Sequence, residues 1–391
     1  MIQEYFKAED IGEMVWLRIN RLKSTKLCAD LIRRKLAKSP GVSMPETLIE
    51  DKAIGLSSAI ESALGYWQSK PMSLNSRILS RYYFLLQMTI AEQVSNVHNS
   101  DGLSQIQKHT EQGHGLGTIS DPAGTFPSNY YVFCLQSGHF ASYARSLGHD
   151  IRQAALDKRP RKFTEVQDLS RLLSLEELFR RTPELSPVVE EHLGKPPLTL
   201  GISYDHLNNK LESDKFKPQL LNDQSPTESS NPPEPTRMET YLSIGKSSGN
   251  VTVDYVNQLG TPFVDLVDVE DQYTKEKYIR GKFIHPQGTI WHQVLPVYNS
   301  AYSSPVYALP LWNKDYDSIV INFMLYYALS IITRYLPDLW YRITKGDLDH
   351  FGALVEYYIS VTEHVIPLQM LERITDTRIS IQFPGSIYGR L

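Results

Sequence analysis

Between residues 74 and 94 apolar side chains recur at Leu74, Ile78, Leu79, Tyr82, Leu85, Leu86, Ile90, Ala91 and Val94. This three-and-four spacing is one broad helical face that must be buried. Tyr83, Phe84 and Met88 lie off that stripe, so the helix is expected to be covered on two sides and to sit centrally. Upstream, residues 10–38 place Met14, Leu17, Leu22, Leu27, Leu31 and Leu36 among charged neighbours, which predicts an amphipathic helix ended by Ser39-Pro40-Gly41. After Pro45 a second helix carries Ile54, Leu56, Ile60, Ala63, Leu64 and Trp67 before Lys70-Pro71 breaks it.

The stretch that follows, up to Tyr131, is rich in Gly, Ser, Asn and His and reads as loop, with a short strand over 130–135. Residues 171–180 and 187–192 read as short helices separated by Thr182-Pro183. Residues 219–236 contain Pro226, Pro232, Pro233 and Pro235 among Ser, Asn, Asp and Glu, too little apolar surface to order a segment, so they predict a flexible linker. Beyond it, 241–244, 251–256, 263–269, 278–284, 290–297 and 306–311 are short, β-branched or aromatic runs bounded by Gly or Pro, and read as strands. Helical spacing returns at 319–335, 351–365 and 368–374.

The expected fold class is therefore α+β and predominantly α-helical, with N- and C-terminal helices packing together around a β-rich middle region. The corresponding divisions are a helical region over 1–197, a Pro/Ser-rich loop over 198–237, a β-rich region over 238–312 and a returning helical region over 313–391.

Composition narrows the function classes. The chain has 391 residues and a formal charge of -4, which gives no global attraction to nucleic acid or an anionic membrane. Its longest apolar run, 318–333, is shorter than the roughly 20 residues of a membrane span and contains Asn322, so it reads as a core helix and no membrane partner is expected. The first residues lack a basic start and an apolar block, so a cytoplasmic location is expected. Cys28 and Cys134 are too few for a disulfide framework or a cysteine zinc site. The basic runs Arg33-Arg34-Lys35 and Lys158-Arg159-Pro160-Arg161-Lys162 read as solvated helix ends or loops.

Catalytic motifs mostly fail on context. Gly245-Lys246-Ser247-Ser248-Gly249 has the Gly-x-Ser-x-Gly spacing of a nucleophile elbow, which needs a strand before and a helix after. The alternation of the residues that follow predicts a hairpin turn instead. Histidines cluster at His98, His109, His114, His139 and His149 without a metal-ligand spacing, so no metal and no cofactor is expected. Gly113-His114-Gly115-Leu116-Gly117 lacks the strand and glycine spacing of a dinucleotide fingerprint; its glycines predict a close backbone approach, and His114 either points inward or contacts an anion. Ribonucleases of the HEPN class pair an arginine and a histidine along one helix, and Arg145 with His149 come nearest while missing the spacing. Trp291, Trp312, Tyr326, Tyr327, Tyr335 and Trp340 are read as an aromatic core.

Several short motifs lie along the chain: Tyr66-Trp67-Gln68-Ser69-Lys70, Ser80-Arg81-Tyr82-Tyr83 opening a hydrophobic helix, Gly113-His114-Gly115-Leu116, Leu175-Glu176-Glu177-Leu178-Phe179 with Pro183-Glu184-Leu185-Ser186, and Tyr326-Tyr327-Ala328-Leu329-Ser330 through Arg334-Tyr335 and Trp340. Together they resemble the YaaC-like family of bacterial proteins. The resemblance spans the chain from the first helix to the last and implies the architecture; it brings no activity with it.

Arg77, Arg81, His114 and His139 are the candidate binding residues, while no catalytic residue is assigned. Arg81, on so apolar a helix, is expected to be partly buried and to hold the loop 113–117 against the central helix through carbonyls or a carboxylate. The leading expectation is a binding or regulatory protein with a protein or small-molecule partner. The competing one is a nucleic-acid-directed enzyme of the HEPN type, set in bacterial defence.

Overall fold

The computed structural model describes residues 2–7, 10–68, 73–206, 237–245, 251–270, 275, 277–312 and 314–382. In chain order the elements are β1 (Ile2–Lys7), α1 (Ile11–Arg21), α2 (Thr25–Ala37), α3 (Glu46–Gln68), α4 (Leu74–Ser95), α5 (Leu103–Glu111), β2 (Leu116–Ser120), β3 (Tyr130–Leu135), α6 (His139–Ser146), α7 (Ile151–Ala154), β4 (Ala155–Leu156), β5 (Leu172–Ser174), α8 (Leu175–Arg180), α9 (Val189–Leu193) and β6 (Thr199–Tyr204). They continue with β7 (Arg237–Ile244), α10 (Val253–Gln258), β8 (Phe263–Glu270), β9 (Lys277–Pro286), α11 (Trp291–Val294), β10 (Tyr298–Ser300), β11 (Ser303–Ala308), α12 (Ser318–Tyr335), α13 (Pro337–Lys345), α14 (Asp349–Thr375) and β12 (Thr377–Gln382). The fold class is α+β and predominantly helical, as the periodicity predicts.

The chain divides into two compact units: residues 1–178 with 312–391, and residues 179–311. In the first, α4 is the centre, packed by α3, α12 and α14. Phe84 and Met88, off its main stripe, are as buried as Ile78 and Leu85 on it, so the helix is covered on two sides as expected. The N- and C-terminal helices thus share one core, and the first and last strands pair in parallel, from Ile2 opposite Thr377 to Lys7 opposite Gln382. A smaller sheet sets β3 between β2, antiparallel to it, and the short β4 and β5.

Polar groups in this core are answered internally. Asp317 caps α12 by accepting from the Ile319 and Val320 amides at 2.9 and 3.1 Å. Asn322, inside the apolar run, donates to the Ser318 carbonyl and accepts from the Tyr358 hydroxyl, both at 2.8 Å. By length and composition α12 would cross a bilayer, but most of it is buried among the other helices. Arg373 donates to Glu92 at 2.9 Å and to both Asp317 oxygens at 3.0 Å, and the Tyr143 hydroxyl donates to Glu92 at 2.7 Å, which ties α14, α4 and α6 to the start of α12. Lys52 is wholly buried, its ammonium within 3.1 Å of the Val94, Asn96 and Asp101 carbonyls and the Asn99 amide oxygen. Burial lowers that ammonium to about 8, so it still carries its proton at neutral pH.

The second unit is one six-stranded sheet in the order β10-β11-β6-β7-β9-β8, every pair antiparallel. Leu200, Ile202, Leu242, Ile244, Phe263 and Ile279 form its buried face, with Val256 of α10 packed into the same cluster.

Several elements differ from the expectation. Residues 10–38 form two helices, because Leu17, Leu22 and Leu27 advance in steps of five, which a period of 3.6 cannot hold on one stripe. Leu17 is exposed, and Ser24 starts α2 by accepting from the Leu27 amide. The expected loop before Tyr131 contains α5, which buries only Ile106, and β2, whose Gly117 hides the strand pattern. Residues 171–180 hold β5 as well as α8, and β6 falls within the stretch assigned to the linker. Two expected strands are short helices, α10 and α11; the Thr252 side chain accepts from the Tyr255 amide at 3.2 Å and overrides the β-branched preference. Residues 219–236 lie outside the described residues.

Candidate functional site

Arg77 and Arg81 stand one turn apart on α4 and meet the same carboxylate, Glu363 of α14. Arg77 donates from Nε at 3.3 Å and Nη2 at 2.8 Å, and Arg81 from Nε at 2.8 Å. Arg81 also donates to the Trp67 carbonyl at 3.2 Å and lays its guanidinium 3.9 Å from the centroid of the Trp67 ring. It is partly buried and carboxylate-held, but it does not hold the glycine loop: its hydrogen bonds run to α14, to the end of α3 and to Ser80 beside it. One carboxylate between two cations is a clamp across helices.

His139 is equally committed. It opens α6, is fully buried, and sets Nε2 at 2.9 Å from Thr89 Oγ1 and Nδ1 at 3.5 Å from Thr110 Oγ1. Thr89 spends its own proton on the Leu86 carbonyl at 2.8 Å, so His139 must donate from Nε2 and is the neutral Nε2–H tautomer. Burial pushes its pKa down to about 3. Among the described residues no group of three His, Cys, Asp or Glu side chains comes together as a metal cluster.

His114 is placed differently. The turn that carries it packs against the start of α6: the His139 and Phe140 amides donate to the Gly113 and His114 carbonyls, both at 3.0 Å. A Cβ on Gly138, whose φ is 104°, would lie 2.4 Å from the Gly115 nitrogen, so this approach requires glycine, as the loop composition predicts. The imidazole is half-buried, with Nδ1 2.8 Å from the Tyr82 hydroxyl and its ring 5.8 Å from that of Tyr327. Nε2 has no hydrogen-bond partner among the described residues.

Two guanidinium charges act on this ring. Arg159, from the second basic run, donates to the Leu116 carbonyl at 2.9 Å, and the Tyr327 hydroxyl donates to the same oxygen at 2.9 Å. Arg334 donates to the Ser330 carbonyl at 3.0 Å and reaches to 5.1 Å from the Tyr335 ring centroid. Burial lowers the His114 pKa first, and the Arg334 and Arg159 charges add to it, so the imidazole is neutral at pH 7. Neither arginine has a carboxylate partner among the described residues. Two cations, an imidazole and the exposed ring of Tyr335 thus come from the 158–162 run, the 113–117 turn and α12, and both cations act electrostatically on the imidazole. This arrangement suits an oxyanion, because guanidinium donors match phosphate and carboxylate geometry.

Of the four residues read from sequence, only His114 belongs to this group. Arg159 looks like part of a solvated basic run and Arg334 sits in an aromatic block; neither pattern signals that both charges act on His114. The nearest HEPN-type pair does not assemble: Arg145 is exposed and donates to the Gln136 carbonyl, while His149 is buried with its Nδ1 unpartnered among the described residues. Gly245 follows a strand and α10 follows the glycine-serine stretch, so the hairpin reading is corrected, while residues 246–250 themselves lie outside the described residues.

No curated protein and no solved structure matches the chain. The family model of the YaaC-like proteins matches residues 20–374, nearly the whole length and all of the residues that build both the Glu363 clamp and the His114 group. The chain therefore belongs to the YaaC-like protein family.

Proposed function

We propose that this chain is a cytoplasmic binding or regulatory protein whose ligand is a nucleotide, its phosphates held by Arg159, Arg334 and His114 and its base set against Tyr335. The observation that carries the reading is the pair of guanidiniums without carboxylates beside a half-buried imidazole whose Nε2 is unspent. When the Tyr82 hydroxyl donates to Nδ1, Nε2 carries the ring proton and offers a third donor to the anion. Tyr335 is 64% exposed beside Arg334, a π-face placed for stacking.

Titration calorimetry with ATP tests this. Replacing both arginines in R159Q/R334Q should weaken binding at least tenfold, since a hydrogen bond to a charged group contributes about 1.5–3 kcal/mol. H114Q should weaken it less. Equal ATP affinity in the double variant, or no heat at millimolar ATP with the wild type, would remove the proposal.

The competing reading, a nucleic-acid-directed enzyme of the HEPN type, draws on the exposed Lys158, Arg161 and Lys162 that extend the cationic group. RNA cleavage that survives in R145Q and H149Q but fails in H114Q would favour it with a relocated site.

A further inference from the structure

The first basic run, Arg33-Arg34-Lys35, does not behave as a uniform solvated helix end. Arg33 turns outward to Asp30 at 3.0 Å and also bonds Glu46, while Lys35 turns inward to Ser95 Oγ at 3.2 Å and the Ile374 carbonyl at 3.1 Å. Arg34, between them, faces a cavity of about 230 Å³ in the first unit. Arg18 and Arg21 from the last turn of α1 line the same cavity, together with Glu4 of β1, Asp30 of α2 and Thr377 of β12.

Glu4 lies 3.5 Å from Arg18, and Asp30 is matched by Arg33. Arg21 and Arg34 have neither an ion-pair partner nor a side-chain hydrogen bond among the described residues. Nor are they needed to answer the end of α1. Cys28 Sγ donates to the Leu22 carbonyl at 3.0 Å and Ser57 Oγ to the Lys23 carbonyl at 2.6 Å, while the Leu22 amide caps Ile19. Two guanidiniums are thus left without an ion pair in a cavity that Leu22, Leu27 and Leu371 also line.

We infer that this cavity is a second, separate ligand site, and that its ligand is a small phosphomonoester. The unpaired guanidiniums of Arg21 and Arg34, from two helices, offer a phosphate forked donors. At about 230 Å³ the cavity is small, which favours a phosphomonoester with a short organic part. Leu22, Leu27 and Leu371 accommodate that part.

Glycerol 3-phosphate is the probe, titrated calorimetrically in the R159Q/R334Q background so that the His114 group cannot contribute. One site per chain is expected, and adding R21Q/R34Q should weaken binding at least tenfold. Both arginines are exposed and unbonded, so the fold tolerates glutamine; an unchanged thermal melt checks this. Glycerol should give no heat. Absence of binding at millimolar glycerol 3-phosphate, or binding that R21Q/R34Q leaves intact, overturns the assignment, whatever the fate of the nucleotide reading.

Discussion

Replacing Glu363 by alanine should cost about 3–5 kcal/mol, because it strips two arginines of one shared partner in a largely buried seam. The side chains of Arg81 and Glu363 are 11% and 17% exposed and that of Arg77 is 29%, too enclosed for water to replace the carboxylate fully. The two guanidiniums would then face each other one turn apart on α4 with no anion between them. E363Q should fall between, since it keeps an acceptor and loses the charge. R77A should cost less than R81A, in line with their exposures. Urea melts decide the matter, and a loss below about 1 kcal/mol in E363A would mean that the clamp is only a surface pair. The triple replacement R77M/R81M/E363M should recover much of the loss, because it removes every buried charge together.

The second large effect is acid sensitivity through His139. Its pKa is about 3 in the fold against an ordinary 6.5, lowered by burial before any other cause. Above pH 6.5 neither the folded nor the unfolded chain protonates it and its contribution is fully present. As pH falls from about 6.5 toward 3, the unfolded chain gains a proton that the fold refuses, and stability drops by about 1.4 kcal/mol per pH unit. Between pH 6.5 and 4.5 the wild type should therefore lose about 2–3 kcal/mol more than H139Q. Glutamine can still donate to Thr89, and all carboxylates are common to both proteins, so the difference between the two melts isolates the imidazole. Parallel pH profiles would show that His139 is reached by water.

Much of this architecture is legible in the chain. The stripe from Leu74 to Val94 gives α4 and its two-sided burial, and the apolar run with one Asn gives α12 as a core helix. Both rest on local periodicity. What escapes is pairing at a distance: Glu363 lies 282 residues from Arg81, and nothing in either neighbourhood marks them as partners. The same holds for the cationic group, where Arg159, Arg334 and His114 come from segments with unrelated local patterns. Local reading also misleads where a side-chain cap decides the outcome, as Thr252 does in turning a β-branched run into α10. His114 was recognisable because glycines on both sides announce a forced backbone path, and such a path has to be packed against something.

The shared core of the two chain ends has a consequence for biosynthesis. A ribosome delivers α4 long before α12 and α14, so its apolar faces and its two arginines leave the exit tunnel without the elements that cover them. At roughly 5–20 residues per second the wait for Glu363 is about 15 to 55 s. The second unit is continuous in sequence and can complete its sheet during that interval, whereas the first cannot close until translation is nearly over. Nascent chains stalled before residue 363 should therefore expose α4 to chaperones and proteases, and the cell must shelter this half of the molecule for most of the time it takes to make it.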